Sequence, residues 1–233
     1  MNFAPALPAS SLILIRQGSE LEVFLTQRHP QLKFLGGFYA FLGGRRDEED
    51  FSPQAIKRMK AKNLKEKAEA VDSEEGFEER LGYYATAIRE AFEEAGILLV
   101  CDREQNPVSI SSELKEKLVQ SRLLLQNEKL KFIELLEELD LYYDLDRLFW
   151  FAHWITPKTS PKRFDTQFFC APLPKGQTPE IYTQEISQGI WITPQQALER
   201  WKKQEIKMIP PTLASLDRLS QYRKIEELIK SLA

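Results

Sequence analysis

Apolar residues near the start of the chain are grouped in short runs typical of β-strands. They dominate residues 12–15 and 21–26, and the polar turn Gln17-Gly18-Ser19-Glu20 separates the two runs. This arrangement predicts a strand hairpin. Three later stretches, rich in aromatic or aliphatic residues, are further strand candidates: 148–155, 164–171 and 185–192.

A helical period appears between the two groups of strands. Apolar residues recur at positions i, i+4, i+7, i+8 and i+11, which predicts a helix with one buried face: Tyr84, Ile88, Ala91, Phe92 and Ala95. Gly96 is suited to end this helix in the left-handed conformation. Leucine and isoleucine recur in a similar way across residues 111–140, where we predict a second helical segment.

The C-terminal part carries explicit start and stop signals for helices. Residues 193–196 place Thr at the N-cap, Pro at the first helical position and Gln at the third, which predicts a helix start. Pro210 and Pro211 then break the chain before a final helical stretch at about 213–232. Strands and helices therefore alternate without internal repeats, which is typical of an α/β protein with a mixed sheet.

Composition limits the classes of protein to consider. The chain has 233 residues, of which 42% are hydrophobic, enough to bury one core in a single domain over residues 1–233. Residues 47–82 are dense in charged side chains with few large apolar groups, so we expect an exposed helical excursion there. A formal net charge of -3 gives no bulk attraction to a polyanion, which argues against binding along nucleic acid.

Localisation signals and soft-metal ligands are both scarce. The sequence has no run of about eighteen apolar residues and no charged-then-apolar leader, so we expect no membrane span, no secretory signal and a cytoplasmic location. Cys101 and Cys170 lack metal-ligand spacing and are expected to be reduced packing residues. His29 and His153 are too few for a histidine-rich zinc site. Carboxylates are the metal ligands that remain.

Three glutamates, Glu90, Glu93 and Glu94, fall within little more than one helical turn just before Gly96. Like charges at this spacing repel by roughly a few tenths of a kcal/mol per pair, and Glu93 and Glu94 also lie near the negative end of the helix dipole. Hard cations such as Mg²⁺ or Mn²⁺ take oxygen ligands of this kind. The alternative is a helix whose glutamate-rich face is merely solvated.

The neighbouring residues favour the metal site. Residues 89–97 read Arg-Glu-Ala-Phe-Glu-Glu-Ala-Gly-Ile and resemble R-E-U-x-E-E-x-G-U, the second half of the Nudix box, in which U is aliphatic. Upstream, residues 40–47 resemble the strand and Gly-Gly turn that open the box, with Leu42 where a proline is common. The two halves occur in the order that the Nudix family requires.

The distance between the halves departs from the family pattern. Gly44 and Arg89 are 45 positions apart, against fourteen in the family, so an insertion of about thirty residues lies between them. Loop-closure entropy grows only slowly with length, and such an insertion is tolerable. The isolated glutamate of the box would fall on Leu81 and is absent there; Asp50, six residues after Gly44, is the candidate to replace it.

An interrupted box is also found in Nudix proteins related to the peroxisomal coenzyme A diphosphatases. Three segments of this chain are similar to theirs: 23–28, 37–44 and 162–169. The resemblance spans roughly residues 10–220. It implies a Nudix-type α/β/α sandwich with a mixed sheet and helical insertions.

The resemblance also implies a metal site. Glu93 and Glu94 would be the main ligands of Mg²⁺ or Mn²⁺, Glu90 a further ligand or a base, and the Gly43 carbonyl would complete the shell. Arg89 would orient the glutamates by ion pairing. The substrate would be a small molecule that contains a diphosphate.

Candidates for the remaining roles lie outside the box. The family often supplies a general base from a downstream loop, and Glu185 is the first candidate, with Glu180 second. Arg28, Arg45 and Arg163 are candidates to bind the diphosphate, since a guanidinium fork matches phosphate geometry. Surface salt bridges are the alternative for each of the three arginines.

Together these features predict a metal-dependent pyrophosphohydrolase that acts on a nucleoside diphosphate derivative. Coenzyme A or acyl-coenzyme A is the first candidate, and a nucleotide sugar or dinucleotide is nearly as plausible. The missing glutamate at Leu81 supports the alternative of a non-catalytic Nudix domain that binds a nucleotide metabolite and regulates a partner. The apolar helices near 114–136 and 213–232 could cover the core or form a homodimer interface, and we favour core cover.

Overall fold

The computed structural model describes residues 4–181 and 183–232, which form two sheets and eight α-helices. The strands are β1 Leu7–Gln17, β2 Leu21–Arg28, β3 Phe38–Ala40, β4 Leu42–Arg45, β5 Met59–Lys60, β6 Val100–Cys101, β7 Tyr142–Asp144, β8 Phe149–Ile155, β9 Phe164–Pro172, β10 Ile186–Ile192 and β11 Lys207–Met208. The helices are α1 Pro53–Lys57, α2 Leu64–Ala70, α3 Phe77–Ala95, α4 Ser112–Gln126, α5 Phe132–Glu138, α6 Pro194–Lys202, α7 Pro210–Leu219 and α8 Ile225–Leu232. Two 3₁₀ turns, Glu48–Phe51 and Leu145–Arg147, complete the description.

The larger sheet is mixed and is organised around β1. Its strands follow the order β11-β3-β2-β1-β9-β8, while β10 pairs with β2 and β4 pairs with β1. The C-terminal part of β1 forms the predicted hairpin with β2, with Ile15 opposite Val23. The N-terminal part of β1 pairs antiparallel with β4, with Ser11 opposite Gly43. The position of the Gly-Gly turn is therefore fixed by its pairing with β1. The strands predicted at 148–155, 164–171 and 185–192 are β8, β9 and β10.

The alternation of side chains along β1 separates two hydrophobic cores. Leu12 and Leu14 pack into a core that includes the buried face of α3, whereas Ile13 and Ile15 pack into a second core under α6, α7 and α8. Successive residues of a strand point to opposite faces of the sheet, so helices cover both faces. The predicted α/β sandwich is confirmed.

Helix α3 buries the face that the sequence pattern predicts. All five of its periodic apolar residues are at most 1% exposed. The helix ends at Gly96, whose φ of 68° lies in the left-handed region. The amide of Gly96 donates to the Phe92 carbonyl, and that of Ile97 donates to the Ala91 carbonyl. This paired closure stops the helix two residues after Glu94.

The insertion is more deeply packed than the sequence suggests. Residues 47–82 were expected to be an exposed excursion, but they contain buried apolar side chains that join the α3 core: Ala55, Met59, Ala68, Val71 and Leu81. Strand β5, inside the insertion, pairs in parallel with β7 in the small sheet. At its base, Arg46 forms two 2.7 Å hydrogen bonds with the carboxylate of Glu75. A few scattered apolar side chains and a long-range strand pair explain why charge density alone predicted an exposed segment.

Two helical predictions need a correction in detail. The segment predicted at 111–140 is divided into α4 and α5, and the chain turns between them through Glu128, whose φ is 56°. The final stretch predicted at 213–232 is divided into α7 and α8, with a turn after Leu219. No proline or glycine marks this turn in the sequence, so the pattern did not predict it.

Several smaller expectations also have an outcome. Cys101 and Cys170 are both buried free thiols. Helices α7 and α8 cover the second core, while α4 leaves three apolar residues exposed: Val119, Leu123 and Leu124. Among the residues that the structure describes, no helix combines the length and apolar character needed to cross a membrane.

Candidate active site

The Gly-Gly turn at β4 lies against the glutamate end of α3. The Gly43 amide donates to Glu94 Oε2 at 3.0 Å. A Cβ atom on Gly44 would stand 2.3 Å from Glu90 Oε1, and one on Gly43 would stand 2.2 Å from the Ser10 carbonyl oxygen. Gly43 is therefore required by its close approach to the backbone of β1, whereas a side chain at Gly44 would displace the Glu90 carboxylate. The fold brings the two halves of the interrupted box into contact.

Asp50 forms the central ion pair of this site. Its side chain is 2% exposed and accepts two hydrogen bonds from Arg89, from Nε and from Nη2, each 2.9 Å long. The Thr86 hydroxyl donates to the same carboxylate at 2.8 Å. Leu81, the position of the missing glutamate, is fully buried in the apolar core. A carboxylate thus reaches the arginine from the first residues of the insertion rather than from Leu81.

Arg89 joins the helix to the turn. Its Nη2 donates to the Arg45 carbonyl at 2.8 Å, and its Nη1 donates to Glu90 Oε1 at 2.8 Å and to Glu93 Oε1 at 3.4 Å. Burial works against the guanidinium charge, but the surrounding carboxylates, Asp50 foremost, outweigh it and raise the pKa of Arg89. This side chain stays charged and holds two of the three glutamates in place.

The three glutamates carry an electrostatic strain that a cation would relieve. Burial, with repulsion from Glu93, raises the pKa of Glu90 to about 7 despite the neighbouring Arg89. Burial and the charge of Glu90 raise the pKa of Glu94 well above its ordinary value, and burial also raises that of Glu93. Buried carboxylates in mutual repulsion are stabilised as anions by a nearby positive charge. These oxygen donors therefore fit a hard divalent cation.

The carboxylates of Glu90, Glu93 and Glu94 contact protein donors and do not converge on a common point. In the part of the chain that the structure describes, no group of three or more His, Cys, Asp or Glu side chains is placed to hold a metal ion. Glu90 and Glu93 turn towards Arg89, and Glu94 turns towards the Gly43 amide. Metal binding would require Glu90 and Glu93 to exchange part of their contact with Arg89 for the cation.

Arg28 and Glu185 lie at the Glu94 edge of the site. Arg28 Nη2 is 4.0 Å from Glu185 Oε2, and the Glu185 carbonyl accepts a 2.7 Å hydrogen bond from the His29 amide. The charge of Arg28 lowers the pKa of Glu94 and that of Glu185 raises it, although burial remains the largest influence. Arg28 Nε is buried and has no hydrogen-bond partner among the described residues. Such an orphaned donor beside a set of carboxylates suits an anionic ligand.

The other candidates have different surroundings. Arg163 donates to the carbonyl oxygens of Ala4 at 2.7 Å and Thr156 at 3.1 Å. Within the described residues it has no hydrogen bond or ion pair with the three glutamates. The side chain of Arg45 is exposed, and its carbonyl is what contacts Arg89. Glu180 pairs through its carboxylate with Lys115 at 2.8 Å.

Helix α4 contributes a residue that the sequence analysis missed. Arg122 is 5% exposed and donates to the carbonyl oxygens of Glu93 and Glu94 at 2.9 and 2.6 Å. The available signal was weak: a basic residue spaced at helical positions with two buried leucines, Leu118 and Leu125.

Comparison with known proteins gives consistent matches. A family model described as the NUDT19 Nudix domain matches residues 4–219. An acyl-coenzyme A diphosphatase NUDT19 from Xenopus laevis is 31% identical over 239 residues, covering 91% of this chain. The human protein of that name is 27% identical over 237 residues, covering 89% of this chain. The chain spans 63% of the length of each of these two relatives.

A solved structure is similar across the whole chain. The crystal structure of a NUDIX hydrolase from Alicyclobacillus acidocaldarius has a TM-score of 0.76 and 26% sequence identity. The match covers 100% of this chain and 99% of that protein.

Proposed function

Because the chain belongs to the NUDT19 Nudix domain family, whose model matches residues 4–219, we propose that it hydrolyses the diphosphate of coenzyme A or an acyl-coenzyme A. The observation that carries the proposal is the contact of the Gly-Gly turn with Glu90 and Glu94, near Arg28, whose buried Nε has no hydrogen-bond partner within residues 4–181 and 183–232. The names of the two curated relatives supply the substrate class.

Mg²⁺ or Mn²⁺ is the proposed cofactor. Glu90, Glu93 and Glu94, with the Gly43 carbonyl, would hold it. A bound divalent cation neutralises charge on phosphate oxygens and lowers the pKa of a bound water. Arg89 keeps the glutamates close to this position through its contacts with Glu90 and Glu93.

Two further residues act on the substrate and on water in this proposal. Arg28 binds a diphosphate oxygen, since its buried Nε lacks a partner in the described chain and its charge is close to Glu94. Glu185 accepts the proton of the attacking water; its side chain is 68% exposed, so water reaches it freely. The contacts favour Arg28 over Arg163 as the diphosphate ligand.

The non-catalytic alternative loses part of its support. It was motivated by the interruption of the box and by the absence of a glutamate at Leu81. Asp50 supplies a buried carboxylate to Arg89 across the insertion, and the three metal-ligand candidates are all present. The interrupted sequence therefore does not imply a dismantled site.

A hydrolysis panel with a matched variant tests the proposal. The panel contains coenzyme A, acyl-coenzyme A, NADH, ADP-ribose, a nucleotide sugar and a dinucleoside polyphosphate, each with Mg²⁺ or Mn²⁺. We expect wild type to release adenosine 3′,5′-bisphosphate from the coenzyme A substrates, and Glu93→Gln to lose this turnover. Glu78→Gln, an exposed position in the first turn of the same helix, should retain it. A wild type that binds panel members without hydrolysing any of them would instead support the regulatory module.

A further inference from the structure

The last carbonyl groups of α3 are bonded by side chains of α4. An α-helix leaves its final four carbonyls without partners inside the helix. Here Arg122 Nε donates to the Glu93 carbonyl at 2.9 Å and Nη2 donates to the Glu94 carbonyl at 2.6 Å. Gln126 Nε2, one turn later on α4, donates to the Glu93 carbonyl at 2.7 Å. The backbone of two proposed metal ligands is therefore fixed from a neighbouring helix.

The same guanidinium extends to the loop between β9 and β10. Arg122 Nη1 donates to the Glu180 carbonyl at 2.7 Å. The Glu180 amide in turn donates to the Ala95 carbonyl at 2.9 Å, and the Gln177 side chain forms two hydrogen bonds with the backbone of Leu98. This loop continues to the proposed base. Arg122 thus contacts both the C-terminal end of α3 and the loop at Glu180.

The chemistry of the contact requires an arginine. A guanidinium presents five donors in a rigid plane, whereas an ammonium is a compact point charge. Arg122 uses Nε, Nη1 and Nη2 on three different carbonyls. Its positive charge also interacts favourably with the negative, C-terminal end of the α3 dipole. The absence of a side chain at Gly96 leaves room, since a Cβ there would lie 3.0 Å from Nη1.

We propose that Arg122 is a positioning residue for the metal site, holding the backbone of Glu93, Glu94 and Glu180 in one arrangement. The expected change in kcat rests on the proposed function, whereas the expected change in Mn²⁺ affinity does not. Its mechanism is geometric, because a small misplacement of ligands lowers both cation affinity and the rate of the reaction they support. Arg122 touches neither the substrate nor the cation in this account.

Manganese binding to the substrate-free protein provides a readout separate from activity. Free Mn²⁺ is measured by electron paramagnetic resonance during titration of wild type and Arg122→Lys. Changes to residues that support metal ligands typically cost about 10- to 100-fold in affinity or activity. We expect the Mn²⁺ dissociation constant of Arg122→Lys to rise about tenfold and kcat to fall about tenfold, with KM changed less than about threefold. A folded Arg122→Lys protein with wild-type Mn²⁺ affinity and kcat would overturn the proposal.

Lys115→Ala is the matched control. Lys115 lies on the same helix, its side chain is 60% exposed, and it forms an ion pair with the carboxylate of Glu180 in the loop between β9 and β10. An exposed pair of this kind contributes little, so Mn²⁺ affinity and kcat should stay at wild-type values. If Lys115→Ala reproduces the Arg122→Lys defect, loop tethering alone explains both and the proposal fails.

Gln126→Ala decides the matter if Arg122→Lys does not fold. This variant removes one of the two donors to the Glu93 carbonyl and keeps the buried charge. We expect weaker Mn²⁺ binding with unchanged circular dichroism, and unaltered binding would refute the positioning role of α4. A wild type that binds Mn²⁺ but hydrolyses no panel substrate would refute the proposed function and leave this comparison intact.

Discussion

Asp50 and Arg89 are 39 positions apart in the sequence, yet they meet through two hydrogen bonds of 2.9 Å in a buried setting. The pair fixes the start of the insertion to α3 beside the three glutamates. It connects the 3₁₀ turn that follows the Gly-Gly segment to the helix that carries the glutamates. The stability of the site should therefore depend on this contact more than on the exposed pairs around it.

Asp50→Asn tests that dependence. Removing one partner of a buried ion pair costs about 3–5 kcal/mol, because the other charge is left uncompensated. Asp47→Asn is the control: Asp47 is 62% exposed and 3.5 Å from the same arginine, and an exposed partner contributes at most about 1 kcal/mol. Urea denaturation measures both. Equal losses of unfolding free energy would contradict the central role of Asp50.

Gly44→Ala should impair the site without unfolding the protein. The added Cβ would stand 2.3 Å from Glu90 Oε1, so the Glu90 side chain must move and the proposed ligand set is disturbed. We expect a large fall in kcat with little change in Tm. Gly76→Ala creates a similar overlap, 2.5 Å from Glu79 Oε2, at the other end of α3. If both variants keep wild-type turnover, Glu90 does not need its observed position.

Arg28→Ala and Arg163→Ala should separate substrate binding from stability. A hydrogen bond to a charged group is worth about 1.5–3 kcal/mol, so loss of the Arg28 contact with a diphosphate should raise KM at least about tenfold. Arg163→Ala removes the side-chain donor to the Ala4 and Thr156 carbonyls and should lower Tm with KM unchanged. Steady-state kinetics and thermal denaturation measure the two effects. The opposite pattern would return the diphosphate role to Arg163.

His153 should make stability depend on pH. Its Nδ1 is 2.9 Å from Asp72 Oδ2 and its Nε2 is 2.5 Å from Asp165 Oδ1. Burial favours the neutral ring, but the hydrogen bonds to the two aspartates outweigh it and raise the pKa of His153. The stabilisation is therefore complete below the unfolded pKa of about 6.5 and is lost as pH rises through the higher folded pKa.

His153→Gln isolates this contribution. The Tm deficit of the variant should be largest near pH 6 and should shrink towards about pH 9, where the wild-type ring is neutral. Thermal denaturation of both proteins across this range measures it. A deficit that is constant with pH would show that the ring contributes packing alone.

The parts of the fold that were predictable are those with local signals that agree. For α3, the apolar period, the glycine stop and the glutamate spacing all lie within one segment; burial confirms the apolar period, and the left-handed closure at Gly96 confirms the stop. The replacement of the missing glutamate was also readable, because Asp50 keeps a fixed spacing from Gly44. Local sequence therefore offered Asp50 as a candidate, and the structure adds that its partner is Arg89.

The misses concern contacts between distant segments. Nothing near Met59 announces that β5 will pair with β7, so the insertion looked exposed. The role proposed for Arg122 depends on the carbonyls that it contacts on α3 and on the loop at Glu180, which are distant in the sequence. The turn between α7 and α8 lacks the glycine or proline that would have marked it. Each miss depends on packing partners that the sequence does not place side by side.

The ion pair between Arg46 and Glu75 at the base of the insertion bears on how the chain could be cut. Together with Asp50 and Arg89, it holds the two halves of the box against each other without using the peptide bonds in between. The connection at Lys62 and Asn63 is exposed. Two separately expressed fragments that meet there would still contain both partners of each ion pair between them, so we expect them to reassemble and this position to suit a split-protein reporter.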